Sequence, residues 1–114
     1  MAPLEVNVQD APNPPGTIIV AVRGEAVVDL EPLVSTLQSV SARRPAFVVM
    51  DLRELSFISS LAMGVMLAFR RGVLANNGKL KVAAMQKLVL DAFKRARLDR
   101  VFEIADSVES ALPK

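Results

Sequence analysis

Leu4, Val6 and Val8 alternate with Glu5 and Asn7, the period-two pattern of a half-exposed strand at a sheet edge. Thr17 to Arg23 is β-branched and apolar enough for an interior strand, closed by Gly24. Between them, residues 10–16 carry three prolines and a glycine, which remove donors and fix the backbone, so this stretch predicts a hairpin-like loop. After Asp29, a suitable N-cap, Leu30, Leu33, Val34, Leu37 and Val40 keep helical spacing, with Ser35, Thr36, Gln38 and Ser39 between them. Ser41 to Pro45 ends that helix, and the unbroken apolar run Ala46 to Met50 suits a central strand covered on both faces.

The stretch that follows, Asp51 to Gly64, leads from the strand through a short polar loop and a Ser-Ser pair into a helix almost wholly apolar from Leu61 to Phe69. That helix passes a weaker turn at Gly72 and stops near Asn76-Asn77-Gly78. Lys79 to Ala84 is strand-like. A further helix from about Gln86 to Arg97 would bury Val89, Ala92, Phe93 and Ala96 and expose Lys87, Lys94 and Arg95. Val101 to Ile104 predicts a last short strand, and Ser107 can cap a closing helix through Leu112.

Strands alternating with helices predict an α/β fold, a single domain over residues 1–114 with a mixed sheet of four to five strands and about four helices. The strand at Phe47 to Met50, the helix after Ser60 and the strand at Leu80 to Ala83 fit a right-handed βαβ crossover. Sites in such sheets tend to lie at the carboxyl ends of the strands, where Asp51 and the Ser59-Ser60 pair fall.

Composition narrows the chemistry. The 114 residues are 52% hydrophobic and include neither Cys nor His. This excludes disulfides and thiol nucleophiles and removes the residues that most zinc sites and most general bases use, so neither metal nor cofactor is expected. The formal charge of +2 hides an asymmetry: residues 1–40 carry one basic and five acidic side chains, residues 41–114 thirteen basic and seven acidic. Aromatic residues are only 4%, with no Trp or Tyr to stack on bases, so the basic half does not argue for nucleic acid. The N-terminus lacks the parts of a signal peptide, and the most apolar run, Leu55 to Phe69, is broken by serines and shorter than the roughly 20 residues of a membrane span. The expected location is the cytoplasm, without membrane insertion.

Two hydroxyls at a helix entrance can cap backbone N–H groups, cradle an anion or accept a phosphoryl group. Catalysis by a serine needs a base, and without His only a Lys or a carboxylate such as Asp51 remains; the motif is not Gly-x-Ser-x-Gly. Gly-x-x-x-x-Gly-Lys-Ser/Thr and Gly-x-Gly-x-x-Gly are absent too, and Gly64 and Gly72 come too late to shape a phosphate loop. Two readings stay open: Ser59 and Ser60 simply cap the helix, or one of them accepts a phosphoryl group from a partner kinase that supplies nucleotide, metal and base. Met63 and Met66 suit either the core or a partner contact, because a helix apolar on nearly every side exceeds what one sheet buries. Asp51 could support the site or only bond to loop amides.

Several segments together resemble the STAS domain family of sulphate transporters and anti-sigma factor antagonists. They are Gly24-Glu25, Val48 to Leu52, Phe57 to Val65, Asn77 to Leu80 and Leu98 to Ile104, in the family's order. The family's usual Phe-x-Asp-Ser-Ser-Gly-Leu-Gly aligns with Phe57 to Gly64, which places Ser60 at the phosphorylated serine. Ser59 stands in place of Asp, Leu61 of the second serine and Ala62 of the first glycine, and Arg97 replaces a glycine usual before Leu98-Asp99. The resemblance implies a non-enzymatic, cytoplasmic switch. It would bind an anti-sigma factor serine kinase through Glu25, Ser59, Ser60, Leu61, Met63 and Met66 and be released on phosphorylation at Ser60, with Ser59 as the second acceptor. Other proteins of such pathways are further partners. The alternative implied is a structural STAS subunit of a lipid or anion transporter, or of a stress-signalling complex, without a phospho-switch.

Overall fold

A computed structural model describes residues 2–11 and 14–113. The strands are β1 (Glu5–Ala11), β2 (Thr17–Ala26), β3 (Phe47–Asp51), β4 (Leu55–Ile58), β5 (Lys79–Ala83) and β6 (Glu103–Ala105); the helices are α1 (Glu31–Ala42), α2 (Ser60–Ala75), α3 (Lys87–Arg95) and α4 (Val108–Ala111). All six strands join one mixed sheet in the order β1-β2-β3-β5-β6, with β4 paired to β2 beyond the end of β3. β1 runs antiparallel to β2 at the edge; every other pairing is parallel. The predicted β3-α2-β5 unit joins two parallel neighbours.

Side-chain alternation divides the core between two faces. Val48 and Met50 of β3 join Val20 of β2 and Val82 of β5 under Leu33 and Leu37 of α1, Met66 and Phe69 of α2 and Phe93 of α3. Val49 points the other way and meets Ala83 and the short α4 through Ala111. A strand covered on both faces reads as an unbroken apolar run, the pattern that Phe47 to Met50 shows.

Three local expectations change, and the expected end of α2 holds. Gly24 does not end β2: the strand continues to Ala26 through an irregularity at Gly24/Glu25, and β4 adds a sixth strand against that extension. Gly24 has a φ of +92°, and a Cβ there would lie 2.0 Å from the Pro3 carbonyl oxygen, so both backbone and space require glycine. α1 begins one residue later than a cap at Asp29 would place it. Buried Leu30 takes the N-cap position without a side-chain bond, and Pro32, in the first turn, has no N–H to offer a cap. α2 runs unbroken through Gly72 and ends with Asn77 left-handed at φ 65°; Gly78 N–H donates to Val73 O at 2.9 Å and Asn77 N–H to Leu74 O at 3.0 Å, which satisfies the last carbonyls. α3 stops at Arg95, leaving Ala96 exposed. Arg97 takes φ 60°, and a single 3-10 turn at Leu98–Arg100 delays the last strand to Glu103. Of the loop over residues 10–16, Ala11 ends β1, while Pro12 and Asn13 lie outside the described residues.

Candidate functional site

The start of α2 is tied to the far end of β2. Ser59, in extended conformation at φ −89° and ψ 166°, is the N-cap. Its N–H donates to Ala26 O at 2.8 Å, and its hydroxyl does two things at once: Oγ donates to Val27 O at 2.6 Å and accepts from Ala62 N–H at 3.1 Å. One hydroxyl therefore satisfies a free amide of the helix and fixes the angle at which α2 leaves the sheet. Both lone-pair and proton capacity of Ser59 are engaged, and the side chain is half-buried.

Ser60 differs in each respect. It is the first helical residue, it is exposed, and its hydroxyl has no hydrogen-bond partner among the described residues. Next to it Leu61 is 60% exposed. Gly64, one turn on, is also exposed, with nothing within 4 Å of where a Cβ would stand. The first turn of α2 itself holds no acidic residue to complement the positive end of the helix dipole.

Glu25 sits on β2 directly opposite Phe57 of β4, one position before the Ala26-Ile58 pair that leads into Ser59. Its carboxylate accepts from Ala2 N–H at 3.0 Å, which holds the N-terminal segment across the end of the strand. A shallow hollow beside it is lined by Pro3, Leu4, Glu25, Val27, Val28 and Pro32, among others. Glu25, Ser59, Ser60 and Leu61 are thus brought together.

Met63 and Met66 are not part of that surface. They are 9% and 1% exposed and pack in the core, because α2 lies against both the sheet and α1. The expected partner contact through these two methionines is corrected accordingly: the outward positions of the first turns are Ser60, Leu61, Gly64 and Ala68. Asp51 is also placed elsewhere. Its carboxylate accepts from Arg53 N–H at 3.0 Å and from Arg53 Nη2 at 3.1 Å, closing the loop after β3. This hydrogen bond, with the charge of Asp51, holds the Arg53 guanidinium pKa above its ordinary value. Asp51 pairs in register with Ala21, whereas Ser59 bonds to Ala26 and Val27; at about 3.3 Å per residue, that separates them by roughly 16 Å along β2.

Two surface residues escaped the reading from sequence. Phe57 and Val28 are both exposed large apolar side chains flanking the serine pair. Nothing in the sequence set Phe57 apart from its apolar neighbours Leu55 and Ile58, which are both buried. Among the described residues no group of three or more acidic side chains could hold a metal ion, and no helix is long and apolar enough to cross a membrane.

The family model described as the STAS domain matches residues 9–111, and the chain belongs to that family. No curated protein matches the sequence. An anti-sigma factor antagonist from Mycobacterium paratuberculosis superposes with a TM-score of 0.84 at 23% identity, over 96% of this chain and 91% of that one. The Bacillus cell fate determinant SpoIIAA in its phosphorylated form gives 0.70 at 16%, over 93% and 95%. A sulfate transporter family protein from Wolinella succinogenes gives 0.75 at 16%, over 87% and 84%. At these identities the likeness shows a shared fold.

Proposed function

We propose that this STAS domain is an anti-sigma factor antagonist: a cytoplasmic, non-enzymatic module that binds an anti-sigma factor serine kinase and is switched by phosphorylation of Ser60. The observation that carries this reading is the division of labour between the two hydroxyls. Ser59 is committed to the cap, and Ser60 is exposed and free of hydrogen bonds among the described residues. Membership of the family and the fold shared with proteins described as anti-sigma factor antagonists support it.

The local chemistry fits a switch that leaves the fold intact. A phosphate on Ser60 would add a charge of about −1.5 to −2 at pH 7 at the positive end of a 16-residue helix, next to the N–H groups of Ser60 and Leu61, which have no intrahelical acceptor. The core side chains Met63 and Met66 lie behind the first turn and do not feel it directly. What changes is the surface of Phe57, Ser60 and Leu61, where a partner that had excluded water would meet a buried dianion.

Incubation with the cognate kinase and ATP, followed by site mapping in the mass spectrometer, tests this directly. One phosphate on Ser60 is expected, and modification of neither serine removes the switch. The second reading, a structural subunit of a transporter or signalling complex, draws on the fold shared with the Wolinella protein. It makes partner binding by Ser60→Asp and Ser60→Ala nearly equal, whereas a phospho-switch has the Asp variant bind much more weakly.

A further inference from the structure

The end of the molecule away from the serines carries its positive charge. Residues 70–103 include nine Lys and Arg against three Asp and Glu. Of these cations, Arg71, Lys79, Lys94, Arg95, Arg97 and Arg100 are all exposed, and none pairs with a carboxylate among the described residues. Helix-terminal cations that complement a dipole account for Lys94 and Arg95 in the last turn of α3. They do not account for Lys79 and Lys81 on a strand or for Arg100 in a turn.

Lys79, with Arg70 and Lys81, lies on a notch at the edge of β5, where β6 pairs only with Lys81 to Ala83 and leaves the start of the strand uncovered, and Arg100 immediately precedes Val101 on its rim. Arg70, Leu74, Lys79, Lys81 and Val101 line it over a floor that includes Phe47. Arg70 Cζ lies 6.0 Å from the Phe102 ring centroid and Lys81 Nζ 6.0 Å from that of Phe47, so aromatic faces hold both charged heads at the notch, at the outer limit of a cation–π contact. Glu103 is on the rim, 4.0 Å from Lys81, too long for a strong pair. Between the cations stand two aliphatic side chains in the open, Leu74 at 41% and Val101 at 36% exposure.

We infer that this basic notch, with Leu74 and Val101 at its centre, docks on the anionic headgroups of a phospholipid surface. Cations ringed around exposed aliphatic tips suit an interface that is charged outside and apolar beneath. A nucleic acid would use the cations but give Leu74 and Val101 nothing to do, and no Trp or Tyr is present to stack on bases. Arg70 follows Ser60 by ten residues along α2, about 15 Å of helix, so a docked domain keeps its serine face accessible. The inference does not depend on the phospho-switch.

The test is flotation of the intact chain with vesicles of equal phosphatidylglycerol and phosphatidylcholine, against pure phosphatidylcholine, at low and high salt. Binding to the anionic vesicles alone, lost on adding salt, is expected. Lys79→Glu with Arg100→Glu, two exposed positions without carboxylate partners, should weaken it at least about 25-fold, since each cation near such a surface contributes about five-fold. Leu74→Ser should weaken it by a smaller factor while leaving the charge unchanged. Absence of binding, equal binding to both vesicle types, retention by the doubly reversed variant with an unchanged circular dichroism spectrum, or tighter binding to DNA than to vesicles would each overturn the inference.

Discussion

Two helices of this chain begin at a serine that accepts a hydrogen bond from its own first turn, and each has a second serine within three residues. At α4 the two hydroxyls close on each other: Ser107 Oγ accepts from Ser110 N–H at 3.0 Å, and Ser110 Oγ accepts from Ser107 N–H at 3.2 Å. This reciprocal box satisfies two backbone donors and leaves no hydroxyl without a partner. At α2 the cap is complete with Ser59 alone, which also bonds to Val27 O, and Ser60 is left over. A helix that needs serine only for capping can use both hydroxyls, as α4 does. The spare hydroxyl at α2 is therefore not explained by the helix, and a reaction at that position costs the fold no hydrogen bond.

The comparison is sharpest in unfolding experiments. Ser59→Ala should be the most damaging change, about 2 kcal/mol by urea denaturation, because it removes the cap and leaves Val27 O without its donor. Ser107→Ala should cost about 1 kcal/mol, the ordinary value of a cap, on a helix of only four residues. Ser60→Ala should fall within about 0.5 kcal/mol of the parent, as an exposed side chain without partners; a loss approaching that of Ser59→Ala would erase the distinction between the two hydroxyls. Acid should move the comparison least, since both caps are neutral hydroxyls. The Asp91 carboxyl is held below its ordinary value of 3.8 by its hydrogen bond to Lys87 Nζ at 3.0 Å. A lowered folded-state pKa means that this small contribution is present above 3.8 and fades as pH falls through the folded value. Unfolding followed from pH 5 to pH 2 in the parent and in Asp91→Asn should show a slight difference at pH 5 that vanishes in acid.

Periodicity made the long elements legible. The helical spacing of Leu33, Leu37 and Val40 and the unbroken run of β3 both report burial by neighbours that recur regularly, and the structure buries those residues as the pattern demands. β4 was not legible, because it buries Leu55 and Ile58 while exposing Ser56 and Phe57, which is no strand period; its pairing comes from β2, carried past Gly24 by a positive φ. Asp29 misled because an N-cap needs a helix that starts immediately after it, and Leu30 is held in the core instead. At the candidate site the sequence showed two adjacent hydroxyls at a helix mouth but could not divide them. That division depends on which residue is extended and on the position of Val27 O, a contact 32 residues away in the chain. Met63 and Met66 were ambiguous for a related reason: the packing of α1 beside α2 buries more of the apolar helix than the sheet alone would.

The most direct measurement maps phosphate on the parent, Ser59→Ala and Ser60→Ala after treatment with the cognate kinase and ATP. The expected result is a single phosphate on Ser60 in the parent, retained at Ser60 in Ser59→Ala and absent from Ser60→Ala. Phosphate on Ser59, or none on any of the three proteins, would contradict the assignment of the cap to one serine and the switch to the other.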